Sequence, residues 1–581
     1  MPAQIIADSS PFSWIDWGVI AAYLALTTLI GARLAGNQST IREFFLAGRK
    51  LPWWAVCGSI IATEISAITF IAVPTISFRT GGNLTYLQLA AGAILARVAI
   101  GYLFVPRYYR EEIYSPYDYL GQQLGDRVKK ITTLLFFLGA VLGQGARVFV
   151  TAFLLSRIAD IELVTSIWLI GIVSIGWTLM GGITTVIWTD VIQFCVLIIG
   201  AIVMLLFALD AVPGGLDEVF ARAEAAAKFQ WLDTRTDPSL EYTIWAGLLA
   251  FPFLNLAAFG LDQVMAQRMF CCRNAAQARR AIIWSCSGIV VALLMLGVGI
   301  ALFAYFHHQP FTPDEQADYA AHKNYLLPIF IVRELPVGVR GIIVAAIFAA
   351  AISSMDSALA ALAQTTIGAF KTSVTKLLSR LGIRGRRIGS DIGLSKCMVV
   401  VWGAALCGMA TACIAISEQY DNVVNLAFGL TAYTYGPLLG IFLLAFLPIR
   451  RDDTGLPWAV PITILAIFGI SVHVETIRVD WLGMDLNWAD CAVWIGAAAI
   501  FLLGLIRLKG KLIHIAVVST AVVVGVLLHF LQFGIDAQGD VKFLSWVWCY
   551  SIGTTMTFVV GYALGKSTRA PESAHEKGPA D

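Results

Sequence analysis

Apolar runs of about 20 residues recur along nearly the whole chain, and they constrain its fold more than any other feature. Each run is long enough to cross the hydrocarbon core of a bilayer, about 30 Å thick, as one α-helix. Helices are the expected form because lipid offers the backbone no hydrogen bonds. Only 13% of the 581 residues are charged, whereas an average soluble protein has about 25%. We predict fifteen spans, at residues 12–36, 53–78, 83–109, 131–158, 162–179, 183–210, 242–270, 280–306, 338–370, 394–417, 421–447, 458–476, 486–508, 512–533 and 541–565.

The basic residues indicate how these spans are oriented. If the N-terminus is outside, most Lys and Arg fall in cytoplasmic segments, as the positive-inside rule requires. The C-terminus would then lie inside and end in a disordered tail. We therefore expect a multi-pass protein of the cell membrane, the inner membrane in a bacterium. The cytoplasmic segments would be 33–52, 107–130, 268–280, 371–396, 450–451, 507–511 and 566–581.

Several classes of protein are excluded at this stage. The first residues have no basic region typical of a cleaved signal peptide. The ten cysteines show no paired spacing, so we expect neither a disulfide framework nor a cysteine metal site. The net charge is only +2, and we expect the lipid bilayer, and no nucleic acid, as a partner.

Two predicted spans are interrupted by polar or helix-breaking residues. The second contains Glu64 and Ser66 near its centre, and the seventh contains Pro252 and Asn255. These spans are five apart, so an inverted repeat of five helices would put them in equivalent positions. Interrupted spans in corresponding places of two halves are the best sequence pointer to the binding site of a transporter.

The stretch "AAAISSMDSALAAL", residues 349–362, puts hydroxyls and a carboxylate in the middle of the ninth span. Ala350, Ser353, Ser354 and Ser357 follow an i, i+3, i+4, i+7 pattern and share one helix face. This face offers carbonyl and hydroxyl oxygens, and an interrupted helix frees further carbonyls nearby. Such oxygens suit a hard monovalent cation. Alternatively, the serines bond the carbonyl four residues back or allow close helix packing.

Several segments, in order, resemble the sodium/solute symporter family, which includes sodium–glucose, sodium–proline and sodium–sialic acid carriers. The resemblance covers about residues 10 to 450. The segments are "EFFLAGRKLPWW" (43–54), "GGITTVIWTDVIQ" (181–193), "DQVMAQRMFCCRNAAQARRA" (262–281), "GIIVAAIFAAAISSMDS" (341–357) and "TYGPLLGIFLLAF" (434–446).

The resemblance implies an all-α membrane fold with a core of two inverted five-helix repeats, one leading helix and about four trailing helices. It divides the chain into six regions. These are a leading helix and cytoplasmic loop (1–52), a first repeat (53–210), an extracellular loop (211–241), a second repeat (242–450), trailing transmembrane helices (451–565) and the tail (566–581).

The resemblance also implies a sodium site. The family's principal site uses two carbonyls of the first core helix and one carbonyl and two hydroxyls of the eighth. Residue by residue, these positions are Ala62, Ile65, Ala350, Ser353 and Ser354.

A second cation site is implied beside the first. It corresponds to Asp190, Asp356 and Ser357, and Asp356 stands where some family members have serine. A carboxylate inside the membrane is costly unless it is paired or solvated. Asp356 is therefore a sodium ligand, a protonatable group, or the ion-pair partner of Arg97 or Arg147.

Three further charges lie within predicted spans. Glu64 resembles an aspartate that is important for sodium coupling in sodium–proline carriers, and its alternative is a structural ion pair. Arg147 is too deep to reach the surface easily, and guanidinium binds carboxylates in bidentate geometry. It resembles the arginine that holds the substrate carboxylate in sodium–sialic acid carriers, and its alternative is a salt bridge to Glu64 or Asp356. Arg97 is nearer a span end, and we expect it to reach the interface.

The other substrate-binding candidates are polar or aromatic residues at mid-depth on the core helices. They are Thr69, Gln88, Gln144, Asn255, Thr431 and Tyr435.

These residues predict a sodium-coupled symporter that imports a small organic anion, a carboxylate, by alternating access. Sodium is the coupling ion and the only metal expected; no cofactor is needed, and no bond is made, so the protein is not an enzyme. A transporter for a neutral sugar, amino acid or vitamin, or a non-transporting sensor of the same fold, is the alternative. An intramembrane enzyme would need a catalytic pattern such as H-E-x-x-H, which the sequence lacks.

Overall fold

The computed structural model describes most of the chain, but the basic loop at 381–390 and nearly all of the predicted tail lie outside the described residues. The described residues are 13–34, 40–65, 67–110, 113–159, 161–321, 323–380, 391–417, 423–447, 450–471, 478–479, 484–485, 488–507, 511–529, 532–535 and 541–568.

Helices make up most of the described structure, as the apolar runs predict. They are α1 (Trp14–Leu34), α2 (Ile41–Leu46), α3 (Trp53–Glu64), α4 (Ala67–Phe78), α5 (Leu89–Ala99), α6 (Val105–Arg110), α7 (Pro116–Leu124), α8 (Asp126–Ile158), α9 (Leu163–Asp210), α10 (Gly215–Ala225), α11 (Phe251–Asn255), α12 (Gln263–Phe270), α13 (Ala275–Trp284), α14 (Ile289–His308), α15 (Pro313–Ala321), α16 (Leu326–Glu334), α17 (Val339–Arg380), α18 (Asp391–Ser417), α19 (Val423–Phe446), α20 (Leu456–Ser471), α21 (Trp488–Arg507), α22 (Leu512–His529) and α23 (Val547–Leu564).

Short antiparallel strand pairs accompany the trailing helices, which the all-α expectation did not include. β1 (Arg450–Arg451) pairs with β6 (Ser567–Thr568), β2 (Arg478–Val479) with β3 (Met484–Asp485), and β4 (Gln532–Ile535) with β5 (Val541–Phe543).

The number of membrane-crossing helices can be compared with the prediction. Ten helices of the described chain are long and apolar enough to cross a membrane, and two bent helix pairs raise the number to twelve. Three shorter apolar helices, Thr431–Phe446, Val493–Gly504 and Leu512–Leu528, coincide with the remaining predicted spans. The chain is therefore a multi-pass helical membrane protein, whereas fifteen crossings and the orientation remain predictions.

The chain forms two units. The first contains Met1–Pro116, Phe137–Thr236 and Tyr242–Thr431, and the second contains Tyr117–Phe136, Asp237–Glu241 and Ala432–Asp581.

In the first unit, α17 packs against α9, α18, α1 and α3. The long α9 changes direction at Gly182, where φ is 55° and ψ is −159°. Only glycine adopts this backbone conformation readily, because it has no Cβ. The bend separates Leu163–Met180 from Gly182–Asp210, and the latter carries the fully buried Asp190.

The segment after α10 is anchored in the first unit by Lys228. Its Nζ donates to the carbonyls of Ser77, Phe78 and Arg79, at 2.8, 3.0 and 2.7 Å. These are the last carbonyls of α4 and its following residue, which a helix leaves without intrahelical donors. The lysine therefore caps the C-terminal end of α4.

In the second unit, α20 packs against α21, α22 and α23 around a small apolar core. The α20 residue Ile462, Val493 of α21, Val518 of α22 and Val560 of α23 are all buried there. The Thr557 hydroxyl also donates to the Thr463 hydroxyl at 2.9 Å, which links α23 to α20 by a buried hydrogen bond.

Candidate ion and solute sites

The helix break that the sequence predicts lies at Ile65. The last regular bond of α3 runs from Ile65 N–H to Ile61 C=O, at 2.9 Å, and Ile65 itself has the extended angles φ −75° and ψ 101°. The axes before and after the break differ by 62°. The regular pattern of backbone hydrogen bonds stops here, so the carbonyls after Ile61 are released for other partners.

The hydroxyls of α17 lie opposite this break. Ser354 Oγ is 3.5 Å from the Thr63 carbonyl, and both serines of the pair, Ser353 and Ser354, are buried. Ala62, Ile65 and Ala350 are buried as well. The structure thus brings the end of α3 and the serine face of α17 together.

Ser353 is oriented by a carboxylate behind it. Its hydroxyl donates to Asp190 Oδ1 at 2.6 Å. A hydroxyl has one proton but two acceptor lone pairs. Because its proton is directed to Asp190, the lone pairs of Ser353 are free for an electropositive partner.

Asp190 also forms a buried ion pair that the sequence did not reveal. Arg268 Nη2 lies 3.0 Å from Asp190 Oδ2, and both side chains have zero exposure. The Ser59 hydroxyl donates to Asp190 at 2.5 Å and accepts from Arg268 Nε at 2.8 Å. The charge pattern assigns Arg268 to the cytoplasmic segment 268–280, and this assignment stays a prediction; the structure adds that α12 places the side chain in the interior, against Asp190.

Asp356 lies in the same buried region but outside this pair. Its carboxylate is fully buried, and no Lys or Arg of the described chain lies within 4 Å of it. Of the three alternatives for Asp356, the ion pair with Arg97 or Arg147 is therefore not formed. The neighbouring Ser357 hydroxyl is 3.3 Å from Asp356 Oδ1, and it also accepts a bond from Arg268.

Glu64, the last residue of α3, pairs with Arg97 of α5. The guanidinium of Arg97 also donates to Ser285 Oγ at 3.1 Å and lies 4.1 Å from the ring centre of Phe259. The Arg97 side chain is 2% exposed and that of Glu64 is 33% exposed. Our expectation that Arg97 reaches the interface is wrong, because Glu64 holds it in the interior.

Arg147 is half-buried on α8. Among the described residues, no carboxylate lies within 4 Å of its guanidinium, so the alternative of a salt bridge to Glu64 or Asp356 is not realised. One turn earlier on the same face, Gly143 lies against the methyl group of Thr431, which a side chain at position 143 would meet at 2.6 Å. Gln144, between them in sequence, has a buried Oε1 with no partner in the described chain. Thr431 thus lies next to the part of α8 that carries Gln144 and Arg147.

The other predicted solute-binding residues are placed differently. Gln88 is hydrogen-bonded to the segment between α10 and α11, since its amide donates to the Tyr242 carbonyl at 3.0 Å and accepts from Asp233 N–H at 3.1 Å. Asn255 donates to the Phe251 carbonyl of its own helix at 3.2 Å. Thr69 is half-buried on α4. Tyr435 belongs to the second unit, where its ring centre is 6.4 Å from that of Tyr550.

A bundle of apolar helices with two bent pairs, one of which faces buried hydroxyls, is typical of ion-coupled secondary transporters. The model of the sodium:solute symporter family matches residues 44–460, and the chain belongs to that family. The protein is therefore a sodium-coupled symporter, and the relatives it matches are transporters and not enzymes.

Individual relatives can be compared with this chain. A sodium/sialic acid symporter of Proteus mirabilis is 29% identical over 502 residues, which cover 85% of this chain and 95% of that protein. Sodium-coupled monocarboxylate transporter 2 of Bos taurus is 26% identical over 445 residues, 75% of this chain and 69% of that protein. A solved structure of a sodium-coupled sialic acid symporter, substrate-bound and outward-open, is 26% identical, with a TM-score of 0.65 over 89% of this chain and 98% of that one.

Proposed function

We propose that this symporter imports a small organic anion whose carboxylate is bound by Arg147. The observation that carries the proposal is the guanidinium of Arg147, half-buried and without a carboxylate partner among the described residues. An arginine held within the membrane without a counter-ion is costly, and a planar carboxylate matches its donors. Gln144 supplies a further polar group beside it. Two relatives named above are symporters for sialic acid and for monocarboxylates, which are both acids.

Sodium binds between the broken end of α3 and the serine face of α17 in this proposal. The ligands are the carbonyls of Ala62, Ile65 and Ala350 and the hydroxyls of Ser353 and Ser354. The support is the 3.5 Å separation of Ser354 Oγ and the Thr63 carbonyl, which brings the two helices within reach of one ion. Glu64, beside this site, couples the break to α5 through Arg97.

Transport then follows from differential binding. Sodium joins α3 to α17 and favours the outward-open state, and the solute favours closure of the outer side. Each ligand shifts the equilibrium only because it binds one set of states more tightly than another. The resulting release of both ligands inside requires no covalent step and no cofactor.

The proposal is tested with the purified protein and a panel of solutes. Thermal melting is measured with organic acids, sugars, amino acids and vitamins, each in sodium and in choline buffer. A ligand that binds the folded state raises its stability by RT ln(1 + [L]/Kd). We expect stabilisation by a carboxylate in sodium only, followed by sodium-driven uptake of the same compound into proteoliposomes. Stabilisation by a neutral solute alone would contradict the carboxylate assignment, and stabilisation without uptake would favour a sensor.

The orientation is part of the same proposal. We infer that the N-terminus lies outside and that the loop 371–396 is cytoplasmic, because this loop is strongly basic. A cysteine introduced at position 385, in a background without reactive cysteines, should react with an impermeant maleimide only after the membrane is permeabilised. Labelling of intact cells from outside would invert the assignment.

A further inference from the structure

The spanning helix Thr85–Arg110 carries a strip of exposed apolar side chains near its C-terminal end. Leu95 and Val98 of α5 are exposed, and the ring of Tyr102, four residues further on, is 58% exposed. Residues at spacings of three and four share one face of a helix. In a multi-pass membrane protein, an exposed apolar face on a spanning helix contacts the acyl chains of lipids.

A π-helical turn, Ile100–Phe104, interrupts this helix between α5 and α6. Single π-helical turns are rare and occur frequently at functional sites. Here the turn packs against α13, and a Cβ atom at Gly101 would lie 2.9 Å from Cγ of Arg279. Because glycine has no Cβ, the stem of Arg279 can lie directly against the π-helical turn.

The guanidinium of Arg279 lies over the exposed ring of Tyr102, with Cζ 4.8 Å from the ring centre. An aromatic ring attracts a cation through its quadrupole but carries no net negative charge. No carboxylate of the described chain lies within 4 Å of Arg279 or of its neighbour Arg280. The ring therefore holds the cation in place without neutralising it.

Further residues at this end of the helix are typical of the level of the lipid head groups. Arg107 of α6 donates from Nη1 to the Leu103 carbonyl of the π-helical turn, at 2.6 Å. Trp284 of α13, one turn after Arg280, is exposed, and its ring centre is 6.4 Å from that of Trp53. Tryptophan and tyrosine are enriched at the interface between membrane and water.

We propose that Arg279, Arg280 and Arg107 bind the phosphate of an anionic phospholipid whose acyl chains lie along Leu95 and Val98. Guanidinium groups bind phosphate oxygens in bidentate geometry, and several positive charges favour a lipid with net negative charge. The apolar strip beside the arginines distinguishes a lipid from free phosphate, which has no chains to place there. The charge pattern assigns this end of the helix to the cytoplasmic side, where the leaflet contains anionic lipids.

The two helices of this site also hold the pair beside the break in α3. Arg97 lies on α5, three residues before the π-helical turn, and donates to Ser285, which directly follows α13, at 3.1 Å. Arg97 in turn pairs with Glu64. A lipid that joins α13 to the π-helical turn thus supports the packing that positions Arg97.

Thermal melting of the purified full chain in detergent tests this site. It is measured in choline buffer without sodium or solute, so the result does not depend on the proposed transport. The probes are dioleoyl phosphatidylglycerol, dioleoyl phosphatidylcholine and glycerol 3-phosphate, which is an anionic head group without chains. A ligand that binds the folded state raises its stability. We expect saturable stabilisation by phosphatidylglycerol, much less by phosphatidylcholine and none by glycerol 3-phosphate.

Two substitutions test the assigned residues. Arg279→Gln should raise the phosphatidylglycerol concentration for half-maximal stabilisation about tenfold, because it removes a charged donor pair. Tyr102→Leu keeps the apolar strip but removes the ring that holds the cation, and should weaken binding in the same direction. Arg42→Gln is the control, since Arg42 is an exposed arginine on α2, which packs on α9 and α12. It should leave the affinity unchanged.

Several results would overturn the site. Equal stabilisation by phosphatidylglycerol and phosphatidylcholine would remove the charge selectivity, and stabilisation by glycerol 3-phosphate would assign a free phosphate instead of a lipid. An equal loss of affinity in Arg42→Gln and Arg279→Gln would reduce the effect to surface charge in general. Unchanged affinity in Tyr102→Leu also contradicts the site, and this variant decides the matter if Arg279→Gln fails to fold.

Discussion

Arg268 and Asp190 form an ion pair, Nη2 to Oδ2 at 3.0 Å, in which neither side chain is exposed. The pair joins α12 to α9, and Asp190 in turn holds the hydroxyl of Ser353 on α17. The Arg268–Asp190 ion pair therefore orients Ser353, a proposed sodium ligand, because Asp190 fixes the direction of the Ser353 hydroxyl proton.

Removal of Arg268 should destabilise the protein more than removal of the whole pair. Arg268→Met leaves Asp190 buried and unpaired, which costs about 3–5 kcal/mol. The double variant Asp190→Asn with Arg268→Met removes the uncompensated charge and should recover most of that loss. Thermal melting in sodium-free detergent solution measures both. The single variant Asp190→Asn is measured as well. If the stability loss of the double variant equals the sum of the losses of Arg268→Met and Asp190→Asn, the pair is not coupled as the geometry indicates.

Ser354→Ala should weaken sodium activation without affecting folding. It removes one oxygen from the proposed ion site, and alanine is a good helix former, so α17 stays intact. A loss of about 1.4 kcal/mol corresponds to a tenfold higher sodium concentration for half-maximal uptake. Thr365→Ala on the same helix is the matched control, since the Thr365 hydroxyl bonds the Ala361 carbonyl and faces no ion site. Equal sodium dependence in both variants would mean that Ser354 only packs the helix.

Arg147→Lys should lower solute affinity and leave sodium binding unchanged. Lysine keeps the charge but loses the planar, two-donor fork that fits a carboxylate. We expect about a tenfold or larger rise in the solute Kd, measured by melting in saturating sodium. Arg157→Lys on the same helix is the control, because Arg157 lies 5.1 Å from the ring centre of Tyr325, away from Gln144 and Thr431. Normal affinity in Arg147→Lys would remove Arg147 from the binding site.

The two halves of the Glu64–Arg97 pair should be unequal in their effect on stability. Glu64→Leu leaves Arg97, 2% exposed, as a buried charge without its counter-ion, which costs about 3–5 kcal/mol. Arg97→Met leaves Glu64, whose side chain is 33% exposed although its Oε2 is buried, and should cost less than the loss of Glu64. Melting temperatures of the two variants and of the double variant test this order. The reverse order would mean that packing of Arg97 on Phe259 outweighs its charge.

Much of the helical layout could be predicted from the sequence, because the membrane imposes local rules. A span needs about 20 apolar residues, so hydropathy predicts where most of the long helices lie. Some ends differ, because α17 continues to Arg380 beyond the predicted end at 370 and α8 begins at Asp126 before the predicted start at 131. The break at Ile65 was anticipated from Glu64 and Ser66 in the second span, since polar residues at mid-span signal released backbone groups. The shared face of Ser353 and Ser354 followed from helical periodicity.

The partners of the buried charges could not be predicted in the same way. Arg268 lies near the end of an interrupted span, so hydropathy assigned it to the cytoplasm, yet it meets Asp190, which is 78 residues away in the chain. Arg97 likewise pairs with Glu64, which is 33 residues away in the chain and lies on a different helix.

The sequence by itself thus determined which segments are helical, where one helix breaks and which hydroxyls share a face, because each of these depends on neighbours within a few residues. Only the tertiary structure decided that Arg268 neutralises Asp190, that Glu64 pairs with Arg97, and that Asp356 Oδ2 has no hydrogen-bond partner among the described residues. In a medium of low dielectric constant, the Coulomb energy between two charges changes strongly over a few ångströms. The distance between two helices therefore decides which charged side chains pair. Those distances arise from the packing of α3, α5, α9, α12 and α17, which no local pattern encodes.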